Sequence, residues 1–522
     1  MKTDLVRLEI FKHLFASIPE EMGAALQRAS FSPNIKERRD FSCALFDPNG
    51  EMIAQAAHIP VHLGAMPLSV QAVIQSMPFA EGDMAILNDP YQGGTHLPDI
   101  TLIAPVFVAG QLAGFVANRA HHADIGGIAP GSMPIARELV QEGLILPPVK
   151  LLAGGQLQQG VWDIILRNTR SPHERAGDLR AQIAANQRGV RGLRELVTAY
   201  GAHEVQHYAA ALLDYTERLT RALIARLPDG RFEFADALDD DGLGSGPLPI
   251  RVSVSIHGDE ATVDFEGTAP QAQGSVNAVY AITLSAVYYV FRCLVNAEVP
   301  NNTGSLRAIR VLAPEGSLVN ALPPAPVAGG NVETSQRIVD VLLGALAKAL
   351  PQSIPAASQG TMNNTLIGGW DPVRGRAFTY YETIAGGMGA RPTADGPSGL
   401  HSHMTNTLNT PAEAMEYAYP IQVLRYELRE GTGGAGKHRG GDGLRRDLLL
   451  QTDATASLLS DRRHGRPYGL AGSERGAPGE NLLIRDGQAQ QLPAKGEVHL
   501  RAGDVLSIRT PGGGGWGESG AI

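Results

Sequence analysis

The chain reads as a mixed α/β (α+β) protein of several lobes that ends in a β-rich C-terminal lobe, and three observations predict this. Its 522 residues are more than one ordinary core covers, so two or three packed lobes are expected. Helical and strand periodicities alternate as far as residue 418. From 419 onward, short apolar runs at 421–428, 448–450, 482–484 and 505–508 are separated by glycine clusters, the pattern of strands joined by tight turns. The lobes are expected at 1–228, 229–418 and 419–522.

The elements follow in order. Asp4 caps a helix with Leu8, Phe11, Phe15 and Ile18 at helical spacing, which Pro19 should break before a second helix begins. Between 84 and 118 the period changes to two, and 101–108 and 111–118 flank Ala109-Gly110 as a hairpin. The charged, Ala-rich stretch 174–227 predicts two helices separated near Gly201, with Asp178, Arg180, Glu195 and Glu217 on solvated faces. Residues 228–249, rich in Gly and Pro around Asp239-Asp240-Asp241, predict a lobe boundary or a mobile loop. Alternation then resumes through Val252, Val254 and Ile256, and after Gly258 through Ala261, Val263 and Phe265. Helical patterns at 275–298 and 332–350 bracket a short strand at Ile309–Leu312.

Composition narrows the function classes. A net charge of -9 without a basic block gives no footprint for nucleic acid or an anionic membrane, so small molecules or proteins are the expected partners. Two cysteines, Cys43 and Cys293, exclude a disulfide scaffold and a thiolate zinc finger, and a reducing cytoplasm fits them. The first residues lack a signal-peptide apolar core. The stretch 275–298 comes nearest to a membrane span, but Asn277, Arg292 and Asn296 interrupt it.

The residues able to do chemistry gather in the hairpin. Asn88-Asp89-Pro90-Tyr91-Gln92-Gly93-Gly94 runs directly into Thr95-His96-Leu97-Pro98-Asp99. The glycine pair permits unusual backbone angles and close approach of a ligand. A histidine and a carboxylate three apart can chelate one divalent ion, and a third ligand from another strand leaves positions open for water or substrate. Strand alternation places His121 with Phe115, Ala117 and Arg119 and puts His122 on the opposite face, so only one of the two can point at a given ion. Asp124 is then a fourth ligand, a partner that orients His121, or a general base. Asp40 and Glu142 are weaker candidates for lining the same cleft. His58 and His62 are expected in a loop near the site, since Pro60 argues against a helix. The run Gly431-Thr432-Gly433-Gly434-Ala435-Gly436-Lys437-His438 has phosphate-loop spacing, but His438 stands where Ser or Thr should bind magnesium and no helix is predicted after it. A turn between strands is expected there.

Taken in order, the motifs resemble those of the hydantoinase B / 5-oxoprolinase family, N-methylhydantoinase B-like subunits related to the metal-containing subunit of acetone carboxylase. The likeness rests on Ser32-Pro33-Asn34-Ile35-Lys36-Glu37-Arg38-Arg39-Asp40-Phe41-Ser42, on 88–99 and on Asn118-Arg119-Ala120-His121-His122-Ala123-Asp124. Further along, 177–182, 386–390, 433–441 and 510–515 carry it. The resemblance implies metal ligands at His96, Asp99 and His121, with manganese or zinc as the ion. It also implies a hydantoinase A-type partner that binds ATP and magnesium in place of this chain, in a hetero-oligomer such as (AB)2. The implied reaction opens a small cyclic amide: the partner phosphorylates the ring carbonyl, and a metal-bound water here hydrolyses it, with Asp124, His122, Asp40 and Glu142 as candidates to move protons. A length of 522 residues is shorter than expected for an acetone carboxylase subunit and lacks a fused A half, which favours hydrolysis over carboxylation. An ATP-dependent ketone carboxylase subunit is the rival enzyme, and a non-catalytic scaffold for the A subunit is the rival of another class.

Overall fold

The structure is a computed structural model that describes residues 3–56, 59–295 and 299–520. Asp4 caps α1 (Leu5–Ala29) by accepting from the Val6 N–H at 2.9 Å, and the apolar stripe is buried as its spacing requires. The helix does not break at Pro19. A proline inside a helix costs about 3 kcal/mol, but continuing the helix keeps Pro19, Met22 and Leu26 on the same buried stripe, and each such apolar side chain gains roughly 1.5–3 kcal/mol on burial. Packing therefore outweighs the lost hydrogen bond.

Seven strands follow in one antiparallel sheet: β1 (Phe41–Phe46), β2 (Met52–Gln55), β3 (Met84–Leu87), β4 (Asp99–Val108), β5 (Gln111–His121), β6 (Val149–Ala153) and β7 (Gln156–Leu157). Their order is β2-β1-β5-β4-β3-β6-β7. The expected hairpin is β4 and β5, turned by Ala109 (φ 50°) and Gly110 (φ 77°), the left-handed pair that a two-residue turn demands. Of the helices that follow α1, α2 (Pro33–Lys36) is a single turn, and α3 (Ala65–Ser76) covers one sheet face. After α4 (Gln159–Arg167), α5 (Pro172–Tyr200) joins α1 on the other face, and α6 (Ala202–Ile224) follows Gly201. Alternation along β5 divides its side chains accordingly: Phe115 and Ala117 pack with Met66 and Val70 of α3, while Val116 and Ala120 join the large core on the other side. Asp178 of α5 is buried, not solvated. It accepts the Phe31 and Ser32 N–H groups at 2.8 and 3.0 Å and pairs with Arg175.

The next sheet, β11-β10-β9-β8, is built from β8 (Gly230–Leu238), β9 (Leu248–His257), β10 (Glu260–Asp264) and β11 (Ile309–Leu312) and is backed by α8 (Ser335–Ala349), on which α7 (Tyr280–Leu294) packs. β8 occupies what the sequence suggested was a link. Its alternation is interrupted by Asp236, whose carboxylate pairs with Arg462 at 2.7 Å. The Asp239 carboxylate accepts the backbone N–H groups of Arg463, His464 and Gly465 at 2.7–3.0 Å, so the expected mobile loop is bolted down.

The remaining strands form two antiparallel sheets. One is β13-β12-β16-β19, from β12 (Asn364–Asp371), β13 (Arg376–Glu382), β16 (Ala454–Leu459) and β19 (Lys495–Leu500). After α9 (Ala412–Ala418) comes the other, β14-β15-β20-β17-β18, from β14 (Ile421–Arg429), β15 (Gly443–Leu450), β17 (Glu480–Arg485), β18 (Gln488–Leu492) and β20 (Val505–Arg509). Their facing side chains, among them Ile367, Tyr380 and Leu458 against Leu448, Leu483 and Leu506, share one core. This sandwich takes β12 and β13 from before residue 418. The glycine run 431–438 leads into β15, with Gly434, Lys437 and His438 N–H groups bonded to backbone carbonyls of 513–517. No helix among the described residues is long and apolar enough to cross a membrane.

Candidate metal centre

The loop ahead of β4 is shaped by local chemistry. The Asp89 side chain accepts the Tyr91 N–H at 2.9 Å and caps the short turn Pro90–Gln92. Gly93 ends the turn at φ 88°, and a Cβ there would lie 2.6 Å from the Leu68 carbonyl oxygen, so no other residue fits without displacing α3. The Asn88 amide donates to the carbonyls of Leu97 and Leu144 at 2.8 and 2.9 Å and accepts the Leu146 N–H at 2.7 Å. These bonds hold His96 over the end of the hairpin, where Asp99 and His121 are directly paired across β4 and β5.

His96 Nε2 and His121 Nδ1 each lie 3.2 Å from Asp99 Oδ1, and one donor atom from each of the three residues falls within 4.8 Å of the others. All three are buried. The other Asp99 oxygen, Oδ2, accepts the Thr95 hydroxyl at 2.6 Å and pairs with His62 Nε2 at 3.2 Å; His62 Nδ1 meets the Ser42 hydroxyl at 2.9 Å. One face of the carboxylate is thus held by the protein, and the other is turned to two imidazoles.

Burial by itself would raise the Asp99 carboxyl, but the adjacent His96 and His62 rings and hydrogen bonds from His121 and His62 hold it well below the usual carboxylate range. Burial lowers His121, and its contact with Asp99 only partly offsets this. A lowered carboxyl and a lowered imidazole both favour the deprotonated forms that bind a cation. Both His96 nitrogens and His121 Nε2 are buried without hydrogen-bond partners. Such groups are costly to leave unpaired, and two imidazoles with one carboxylate fit a divalent ion of the zinc or manganese type.

The remaining candidates divide. Asp40, in a loop contact with Arg38 at 3.5 Å, lines the cavity that His62, Asp99 and His121 open onto. His122 points to the opposite side of the sheet end, as alternation requires, and its Nε2 meets Gln182 Oε1 at 2.9 Å. Burial, reinforced by the charge of Arg175, lowers it to about 4. The oxygens of Asp124 accept the N–H groups of Gly126, Gly131 and Arg170 and the Arg170 guanidinium at 2.9 Å, so it anchors a turn and makes no hydrogen bond to His121. Glu142 accepts the Val327 and Ala328 N–H groups at 3.1 and 3.0 Å, and burial pushes it up to about 8. His122, Asp124 and Glu142 are not among the residues lining the cavity, and neither is His96, which meets Asp99 from behind its wall. His58 lies outside the described residues.

The cavity has a volume of about 20 Å³, room for roughly one water or one ion. Sequence reasoning missed most of its walls. Tyr381 from β13 stacks on His121 with ring centroids 4.4 Å apart, and Arg38 lies over the Tyr381 ring at 4.7 Å. Asn331, Met362 and the segment carrying Met404, Thr405 and Thr407 close the far side. No signal within the hairpin points to residues more than 200 positions away.

Because His62 holds Asp99 Oδ2, His62→Ala is expected to weaken ion binding about 10- to 100-fold without abolishing it. Competition titration with a chelating dye measures this, and an unchanged affinity would refute the orienting role.

The family model described as Hydantoinase B/oxoprolinase matches residues 4–519. An uncharacterized protein of Methanocaldococcus jannaschii is 43% identical over 99% of this chain and 91% of its own length. The 5-oxoprolinase 1 of Arabidopsis thaliana is 42% identical over 99% of this chain, which spans 42% of that protein. The putative B subunit of a D-/L-hydantoinase from a Pseudomonas strain is 33% identical over 99% and 90% of the two chains. Among solved structures, the ATP-dependent caprolactamase of Pseudomonas jessenii superposes with a TM-score of 0.92 at 31% identity, over 99% of this chain and 92% of that one. Nucleotide-free acetone carboxylase superposes at 0.91 with 19% identity, over 98% and 75%, which shows a shared fold. The chain belongs to the hydantoinase B/oxoprolinase family.

Proposed function

We propose that this chain is the metal-bearing B-type subunit of an ATP-dependent enzyme that hydrolyses cyclic amides, acting with an A-type subunit that binds ATP and magnesium. The observation that carries this reading is the convergence of His96, Asp99 and His121 on one buried point beside a further carboxylate, Asp40. The names of its relatives, an oxoprolinase, a hydantoinase subunit and a caprolactamase, share ring-amide chemistry. The word subunit in one of them supports the partner and a hetero-oligomer such as (AB)2.

A divalent ion, manganese or zinc, would be held by His96, Asp99 and His121 and would supply Lewis acidity. The side chains supply the rest. Asp40 takes the proton from the attacking water, since it is the carboxylate with access to the cavity beyond Asp99, and returns it to the ring nitrogen as the C–O bond forms and the C–N bond breaks. Thr95 and His62 keep Asp99 in one orientation, and Tyr381 keeps the His121 ring in its plane. Ile59, Val61, Val332, Met362 and Met404 exclude bulk water, which strengthens every charge interaction inside.

The test is turnover by the chain with its A-type partner. ATP-dependent opening of hydantoin, 5-oxoproline or caprolactam supports the reading. ATP consumption only with a ketone and bicarbonate would replace it with carboxylation, and full activity of the partner without this chain's metal residues would leave only a scaffold.

A further inference from the structure

Asn331 stands on a single π-helical turn, Gly330–Thr334, at the entrance to α8. Turns of this kind are rare and are found disproportionately at functional sites. This one is pinned from both sides. The N–H groups of Gly329 and Gly330 bond to the Ser275 carbonyl at 2.7 and 3.1 Å, and a Cβ at Gly330 would lie 1.8 Å from the Asn277 carbonyl oxygen. Glu333 Oε1 accepts the Met362 N–H and the Asn364 amide at 3.1 and 2.9 Å. The Asn331 carbonyl accepts the Ser335 hydroxyl at 2.7 Å. Its side chain is 4% exposed, lines the cavity with His121 and Asp99, and has an Oδ1 without a hydrogen-bond donor.

The neighbouring threonine hydroxyls are already engaged. The Thr383 hydroxyl lies 2.9 Å from that of Thr407 and accepts from Arg38, and Thr405 lies 3.4 Å from Thr407. Asn331 Oδ1 is thus a neutral acceptor held ready on a rigid backbone, beside the apolar side chains of Val332, Met362 and Met404. Resting on the amide reading above, we infer that Asn331 Oδ1 accepts the N–H of the scissile ring amide and makes the site specific for cyclic amides unsubstituted at that nitrogen. A ring does not fit into about 20 Å³, so its entry displaces the walls. Met362 and Met404, unbranched and with three rotatable bonds each, are the side chains suited to yield.

A site built to pair with a substrate N–H rejects the analogue lacking it, because the acceptor is then buried unpaired. The probes are 5-oxoproline, 2-pyrrolidinone and caprolactam, each beside its counterpart methylated on the ring nitrogen, given to the metal-loaded complex with its A-type partner. Wild type is expected to prefer the N–H ring by about 100-fold or more in kcat/KM. Asn331→Ala should lower kcat/KM for the N–H ring roughly 10- to 100-fold and leave the methylated ring unchanged, so that the preference collapses, with metal content intact. Asn331→Ser, polar but too short to reach, gives the same collapse if the alanine variant does not fold. Equal losses on both members of a pair, or an undiminished preference, overturn the role of Asn331 and leave the amide reading standing. A metal-loaded wild-type complex that opens none of these rings overturns the amide reading and this inference together.

Discussion

His96→Ala and His121→Ala should each release the bound ion and reduce ATP-dependent ring opening by about 10³-fold or more. With one imidazole gone, the site retains two protein donors, too few to hold a divalent ion against water. The expected metal content after gel filtration falls from about one ion per chain to near zero, while the circular dichroism spectrum is unchanged, because His96 sits in a loop and His121 at a strand end. His122→Ala is the control. Its imidazole is bonded to Gln182 on the other side of the sheet end, so that variant should keep its ion even if it is less stable. Metal stoichiometry that survives in the His96 and His121 variants would remove the catalytic proposal.

Asp461→Ala is expected to cost the fold about 3–5 kcal/mol. Asp461 is fully buried and accepts from Arg337 at 2.9 Å and from Lys495 at 2.7 Å, both of which are also buried. Removing the carboxylate takes the nearest counter-charge from two desolvated cations where β8, α8 and the sandwich meet, leaving Arg337 with Asp340 and Asp236 at 3.5 and 3.6 Å and Lys495 with Asp240 at 3.7 Å. Burial would raise the Asp461 carboxyl, but the charges of Lys495 and Arg337 outweigh it and hold the group far below its ordinary range. A carboxyl depressed in the folded state stabilises above its unfolded pKa of roughly 3.9, and that contribution is lost as pH falls toward the folded value. Urea unfolding at pH 7 and at about pH 2.5, well below the unfolded value, measures both effects. Asp461→Asn should show the loss at pH 7 and a smaller further loss on acidification than wild type. A variant within about 0.5 kcal/mol of wild type at pH 7 would show the network to be dispensable.

The hairpin was readable from spacing alone. Period-two alternation on either side of Ala109-Gly110 sets the register, and the register makes Asp99 and His121 neighbours and sends His122 the other way. Helix breaks at glycine were equally local, as at Gly201. Local rules failed where packing contributed more free energy than backbone preference, as when burial of Met22 and Leu26 carried α1 through Pro19. They failed again where a charge found a distant partner: Asp178 inside α5 looks solvated in sequence and holds the Phe31 and Ser32 N–H groups in space.

What the sequence determined by itself is the family and the placing of Asp99 and His121 together at one end of a hairpin with His96 just ahead of it, because these residues lie within about 30 positions of one another and the pairing of the two strands follows from their periodicity. Only the tertiary structure decided which other groups share that point. It brought in Asp40, His62, Tyr381 and Asn331 and turned Asp124 and Glu142 to anchoring backbone N–H groups. That choice depends on how the first sheet meets the sandwich and α8, a matter of side-chain packing between segments hundreds of residues apart that no local pattern encodes.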